Sequence, residues 1–246
     1  MSLSIKKDLS IVIPSYNEIG NLKKLLNQVN NILIKNNNIE FIIVNNGSID
    51  GTKEYLKINK HIFPKIKFVT VKKNIGYGHG IKYGLKFTTS DIISWTHADL
   101  QIDINDVVNH FKKYFPKIKK KKILIKGRRI NRSIFNTFFT DSMSFIVYLI
   151  FNVKINDING QPKIFSKVFV DKILKYGPND FTIDLFLLLL VKKNNYMIKE
   201  FPLKFKNRLN DKAKGGGTFI GKVKLTIATL KFICLLKFNF SHKLWK

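Results

Sequence analysis

Hydrophobic and polar positions alternate in blocks along the first half of the chain. Residues 9–15 (LSIVIPS) form a short β-rich run ended by Pro14 and Ser15. Apolar residues at helical spacing then open at Asn17 or Gly20 and continue to Ile34. Strand-like runs recur at 40–44, 66–71, 91–96 and 122–126. Between them lie helical patterns at 53–63, from the turn at Gly76, Gly78 and Gly80 to about Phe87, and at 105–114. Strands separated by helices of this length predict an α/β fold with a mainly parallel sheet covered by helices on both faces.

The second half is less regular. Residues 133–151 predict one long apolar helix or two short ones, and 157–165 a short β-like region around Gly160 and Pro162. Ser166 can cap a helix through Leu174, and Gly177 and Pro178 break the chain. A second apolar helix follows at 182–193, an extended run at 196–205, and a polar, glycine-rich loop at 207–217. No internal repeat or linker appears, so the expected organisation is one domain over 1–217 with an amphipathic helical tail over 218–246. In that tail Lys224 and Lys231 are seven apart and share a helical face. The stripe suits either a membrane interface with snorkelling lysines or a helix packed on the domain. No run reaches eighteen uninterrupted apolar residues, so no spanning helix is expected.

Composition narrows the function. The 246 residues are 45% apolar and 24% charged, a folding composition. A single cysteine, Cys234, excludes an internal disulfide framework and a thiolate zinc cluster. The first ten residues lack the apolar run of a secretory leader. The formal net charge is +28, from 44 basic and 16 acidic residues. Only Arg128, Arg129, Arg132 and Arg208 are arginines, and the lysines are spread through every segment, which argues against nucleic acid as partner. An anionic membrane surface or a phosphorylated substrate suits the positive field better.

Ligands of parallel α/β sheets bind beyond the carboxyl ends of the strands. Polar residues gather there, at 15–18, 45–50, 73–79 and 97–103. His97, Asp99, Gln101 and Asp103 follow the strand DIISWT at alternate positions, a spacing that lets imidazole and carboxylate share a divalent cation with phosphate oxygens. Helix capping by an aspartate is the other reading of that group. Lys126, Arg128, Arg129 and Arg132 follow the fifth strand, and Arg208, Lys212 and Lys214 sit in the late polar loop. Arginine forks match phosphate oxygens; a solvated basic loop is the alternative.

Seven segments in order resemble the family 2 glycosyltransferases of the GT-A (Rossmann-like) fold, and among them dolichyl-phosphate mannose synthase and other polyprenyl-phosphate sugar transferases. They are IVIPSYNEIGNLKKLL at 11–26, FIIVNNGSIDGT at 41–52, NIGYGHGIKYGL at 74–85, DIISWTHADLQID at 91–103, KGRR at 126–129, DINGQPKIFSKVFVDKI at 157–173 and FKNRLNDKAKGGG at 205–217.

The resemblance implies a nucleotide-diphosphate sugar donor of UDP or GDP type. It places Pro14, Tyr16, Glu18, Asn45, Asn46, Lys73, Gly76 and Gln101 around the donor, with Asn45 and Asn46 standing where aspartates are usual. His97 and Asp99 match the metal-binding Asp-X-Asp motif, His97 replacing its first carboxylate, and manganese or magnesium is the expected ion. Arg128, Arg132, Arg208 and Lys214 match positions that hold an acceptor phosphate. Asp99, Asp184 and Arg208 are the expected catalytic residues, Asp184 being the base candidate if the acceptor is a hydroxyl. The implied activity is sugar transfer to a polyprenyl phosphate at the cytoplasmic face of a membrane. Transfer to a saccharide or lipid-linked glycan hydroxyl is the alternative, and a non-catalytic nucleotide-sugar-binding protein is the third reading.

Overall fold

The computed structural model describes residues 6–206 and 218–239. Strand β1 (Leu9–Ser15) is buried along its whole length, as is β2 (Ile39–Asn46). Such strands read as continuous apolar runs because both faces of the sheet are covered. Alternate residues serve opposite layers. Leu9, Ile11 and Ile13 pack with α1 (Ile19–Lys35) and α4 (Ile104–Lys120), whereas Val12, Ile42 and Val44 pack with α3 (Tyr77–Leu85) and α7 (Ile183–Lys193). Every residue of α7 from Ile183 to Val191 is buried, which accounts for its unbroken apolar run.

The sheet has seven strands in the order β3-β2-β1-β4-β6-β5-β7. Its remaining members are β3 (Lys67–Val71), β4 (Ile92–Trp95), β5 (Ile123–Ile130), β6 (Lys163–Ser166) and β7 (Met197–Lys204). The pairs β1·β2, β1·β4, β2·β3 and β5·β7 are parallel, so the expected mainly parallel α/β sheet is present. The departure lies in β6, four residues long, which enters antiparallel between β4 and β5. It aligns Trp95 with Lys163 and Lys126 with Lys163, joining the two parallel groups of strands.

Helices α2 (Thr52–Asn59) and α6 (Val170–Tyr176) complete the layers, with α5 (Ile134–Phe151) and α8 (Phe219–Asn239) packed on each other at one end. Segment 133–151 is thus a single helix, capped by the Ser133 side chain, which accepts from the Asn136 N–H. It is long and apolar enough to cross a bilayer by length and composition, contrary to the sequence expectation. That expectation required an uninterrupted run, which Asn136, Thr137, Thr140 and Asp141 break. The C-terminal helix is present as expected. Its inner face brings Ile233 and Leu236 into the α3–α7 core, while Lys224 and Lys231 share the exposed outer face.

Candidate functional site

The loops after β1 and β2 are built as one unit. Asn17 adopts a left-handed φ of 51°, and its Oδ1 accepts from the Ile49 N–H at 2.8 Å while its own N–H donates to Ser48 Oγ at 3.0 Å. Asp50 Oδ2 accepts from the Ile19 N–H, which satisfies a free donor at the start of α1. Burial raises the Asp50 carboxyl, but donors from Thr52 and Ile19 more than offset it and leave its pKa below the usual value. These bonds set Pro14, Tyr16 and Glu18 beside Asn46 along one wall of a cavity of about 790 Å³.

The glycine-rich turn forms the adjoining wall. Gly76 has a φ of +129°, and a Cβ there would lie 2.2 Å from the Asn179 carbonyl oxygen. Only glycine permits this backbone and this approach. Gly80 leaves room for the Asn46 amide, whose Nδ2 donates to the Gly76 carbonyl at 3.0 Å. Asn46 Oδ1 is buried without a partner, and so is Gln161 Oε1. Both residues line the cavity. Buried acceptors are normally satisfied, so a bound ligand or water has work for them there.

His97 and Asp99 lie at the cavity floor, between β4 and α4. Burial lowers the His97 pKa more than Asp99 and Asp184 raise it, which favours the neutral, ligating imidazole at neutral pH. Asp99 is buried, and its Oδ1 accepts from the Gln101 N–H at 3.1 Å. Gln101 Nε2 donates to the Lys206 carbonyl, tying this loop to the end of β7. Asp103 caps α4 by accepting from the Asn105 N–H, so the capping reading holds for that member of the group. Among the described residues no set of three His, Cys, Asp or Glu side chains could surround a metal. A cation here would take two protein ligands and complete its shell from a diphosphate, which the neutral imidazole and buried carboxylate permit.

Two arginines also line the cavity. Asp157 accepts from the Arg129 backbone N–H at 2.8 Å and from its guanidinium Nε and Nη2. Burial raises the Asp157 carboxyl, but Arg129 outweighs it and holds the pKa at about 2. Arg132 Nη1 donates to Thr140 Oγ1 at 2.7 Å and lies 4.0 Å from Asp157 Oδ1, and the residue lines the cavity. Deeper in, Lys126 and Lys163 are fully buried and face one another across β5·β6. Each has its own acceptors: Lys126 bonds the Asn156 carbonyl at 2.7 Å, and Lys163 bonds the Gly160 carbonyl at 3.0 Å. Lys163 also pairs with Asp184 at 2.9 Å, and burial lowers its pKa to about 8.

Pro14, Tyr16, Glu18, Asn46, Gly76, His97, Asp99 and Gln101 therefore converge on one cavity, joined by Arg132 and Asp184. Asn45 is buried beside it and braces the turn, its Oδ1 accepting from the Ser48 N–H. Lys73 and Arg128 do not line the cavity, and Arg129 takes the wall position expected of Arg128. Arg208 and Lys214 lie outside the described residues. Asp184 is 1% exposed and accepts from Trp95 Nε1 at 3.0 Å and Gln161 Nε2 at 2.9 Å besides pairing with Lys163. These donors all fall on Oδ1, while Oδ2 accepts from Gln161 Nε2 at 2.9 Å. Sequence reasoning missed Tyr77, whose ring stacks on Phe181 at 4.8 Å and meets His97 at 5.1 Å. The aromatic sat inside the glycine-rich motif, where only the glycines drew notice.

Residues 10–175 match the profile of glycosyl transferase family 2. The chain belongs to this family. It is a nucleotide-sugar-dependent glycosyltransferase. Over 222 residues it is 26% identical to a dolichyl-phosphate beta-glucosyltransferase of Trichomonas vaginalis, a match covering 85% of the chain and 69% of that relative. Over 93 residues it is 31% identical to a dolichol-phosphate mannosyltransferase of Pyrococcus furiosus, covering 38% of the chain and 26% of the relative's length. Among solved structures, glucosyl-3-phosphoglycerate synthase of Mycobacterium tuberculosis, in complex with Mn2+, UDP and glucosyl-3-phosphoglycerate, superposes with a TM-score of 0.66. That likeness, at 17% identity over 93% of the chain and 80% of the other, is one of fold.

Proposed function

We propose that this glycosyltransferase moves a sugar from a nucleotide-diphosphate sugar to a polyprenyl phosphate at a membrane surface. The observation that carries the reading is that one cavity is lined by polar residues following β1, β2 and β4, by Arg129 and Arg132 of the β5 region, and by apolar residues of α5 and α8. Pro14, Tyr16 and Asn46 stand where a nucleoside would lie, and Asp99 with His97 would hold a divalent cation near its diphosphate. Such a cation supplies positive charge that stabilises the departing nucleoside diphosphate. Arg129 and Arg132 line the same cavity, Arg132 bonded to Thr140 of α5, together with Phe139 and Met143 of α5 and Leu225 of α8. A phosphate followed by a hydrocarbon chain matches that sequence of surfaces. The curated relatives named for dolichyl-phosphate substrates support the same acceptor class.

The residues suit a phosphate nucleophile. A phosphate monoester is already ionised at neutral pH, with a second pKa of about 6, so its oxygen can attack the anomeric carbon without a protein base. Arg132 would orient that phosphate, and Asp157 fixes Arg129 beside it. The Tyr77–Phe181 stack offers an apolar face for the sugar.

The test is to incubate the chain with labelled UDP-glucose or GDP-mannose, a short-chain prenyl phosphate and manganese. The expected product is an organic-soluble, acid-labile sugar phosphate, absent with chelator and absent for Asp99→Ala. Transfer only to saccharide hydroxyls would overturn the acceptor. Full activity in chelator would overturn the metal role.

A further inference from the structure

A second cavity, of about 950 Å³, lies on the other side of Arg129 and Arg132. Arg128, Lys154, Thr137, Ser144, Phe145 and Tyr148 line it. Arg128 and Lys154 take no part in the donor cavity. Both are exposed, and neither meets an acidic partner among the described residues. Two carboxylates also line the cavity, but Asp157 is paired with Arg129 and, at 4.0 Å, with Arg132, which leaves Asp141 among Arg128 and Lys154. The site is therefore cationic, with hydroxyls from Thr137, Ser144 and Tyr148 at its side.

The outer face of α5 borders it. At about 100° per residue, Ile134, Phe138, Phe145 and Leu149 fall within roughly 60° of one another. Their exposures are 91%, 66%, 59% and 64%. Large apolar side chains so exposed along one helical face, interrupted by Asp141 and Ser142, mark an interaction surface. Phe145 belongs to both the stripe and the cavity. On the packed neighbour α8, Ile220 and Ile227 are exposed as well.

We infer that this second cavity binds the phosphate headgroup of an anionic bilayer phospholipid while the α5 stripe rests against its acyl chains. A cationic, hydroxyl-lined recess beside an apolar stripe reproduces the order of chemistry across a bilayer interface. The net charge of +28 draws the chain to an anionic surface and gives the choice of a lipid over a neutral protein groove. Helix α5 then lies in the interface plane, because one flank of the stripe borders this cavity while the opposite side of the helix lines the donor cavity. Arg128 thereby serves the lipid surface, while Arg132 stands in the wall between the two cavities. The headgroup site does not depend on the acceptor proposed above, because it can be measured with vesicles that contain no prenyl phosphate.

Cosedimentation of the full chain is measured with vesicles of phosphatidylcholine alone or with phosphatidylglycerol added. Binding is expected to require phosphatidylglycerol and to weaken about thirtyfold in Arg128→Ala/Lys154→Ala, from the usual contribution of two basic residues near an anionic surface. The charge-preserving pair Arg128→Lys/Lys154→Arg is expected to retain binding. Lys23→Ala/Lys57→Ala, which removes the same charge from exposed positions on α1 and α2, is expected to change it less than about threefold. Phe145→Ala/Leu149→Ala is expected to lose binding despite intact charge. Equal losses in the two lysine- or arginine-removing pairs would show a diffuse field and overturn the site. Binding to pure phosphatidylcholine as tight as to the mixture would overturn it too. So would an affinity for free glycerol 1-phosphate equal to that for the vesicles, which would make the ligand a soluble phosphate. Unchanged thermal melting of each variant confirms that binding and not folding is being read.

Discussion

Asp184 is held from three sides, and that changes what a substitution there reports. Removing its charge strands Lys163, which is fully buried and has a pKa already lowered to about 8. Asp184→Asn is expected to cost about 3 kcal/mol of stability, because a buried cation without its partner is more harmful than no pair at all. The double variant Asp184→Asn/Lys163→Met should recover much of that loss in urea unfolding. If the acceptor is a phosphate, the double variant keeps transfer within about tenfold; a base role would leave it down by about 10²–10⁴. Asp157 offers a pH test. Its pKa is about 2 in the fold against an ordinary 3.8. A lowered carboxylate contributes stability that is complete above the unfolded value and is lost as pH falls toward 2. The expected loss between pH 5 and pH 2 is about 2 kcal/mol from this group. Asp157→Asn should flatten that part of the curve, and an unchanged acid limb would contradict the Arg129 pairing.

At the scale of elements, β1, β2 and the glycine-rich turn were legible because each is dictated locally. Strands buried on both faces are mostly apolar, their few polar residues bonded in place as Ser10 is to Glu40, and the Gly76 backbone admits no other residue type without strain. Strand β5 was harder. Its apolar run ends near Lys126, but pairing with β7 carries it on to Ile130, with Arg128 opposite Pro202 and Arg129 opposite Leu203. Strand parity then sends Arg128 and Arg129 to opposite faces, so a loop reading could not tell which arginine meets the donor cavity. The four residues of β6 carry no periodicity that would announce an antiparallel insertion, and two facing buried lysines, Lys126 and Lys163, run against ordinary expectation. Helix α8 has a distinct consequence. With Ile233 1% and Leu236 2% exposed, replacing either by Ala should destabilise the chain by about 3 kcal/mol. A cost near zero would mean the helix is a detachable tail.

Across the whole molecule, two cavities share the wall formed by Arg129 and Arg132. One opens from the carboxyl ends of β1, β2 and β4, where family 2 glycosyltransferases were expected to hold their donor. The other borders the exposed face of α5. This arrangement puts the arginines of the reaction cavity next to a surface suited to lipid, so donor and acceptor can approach from different directions. On the proposed reading the positive charge spread over the chain would draw it to an anionic surface, and Arg132 would hold the acceptor phosphate. The most direct measurement is the initial rate of sugar transfer to a short-chain prenyl phosphate, with donor and acceptor varied in turn, for wild type and Arg132→Ala. Loss of a charged hydrogen-bond donor to the acceptor should raise KM for the prenyl phosphate by about 10- to 100-fold while KM for the nucleotide sugar stays within about twofold. A rise in donor KM with no change for the prenyl phosphate would contradict the division of the cavity into a donor end and a phosphate-acceptor end.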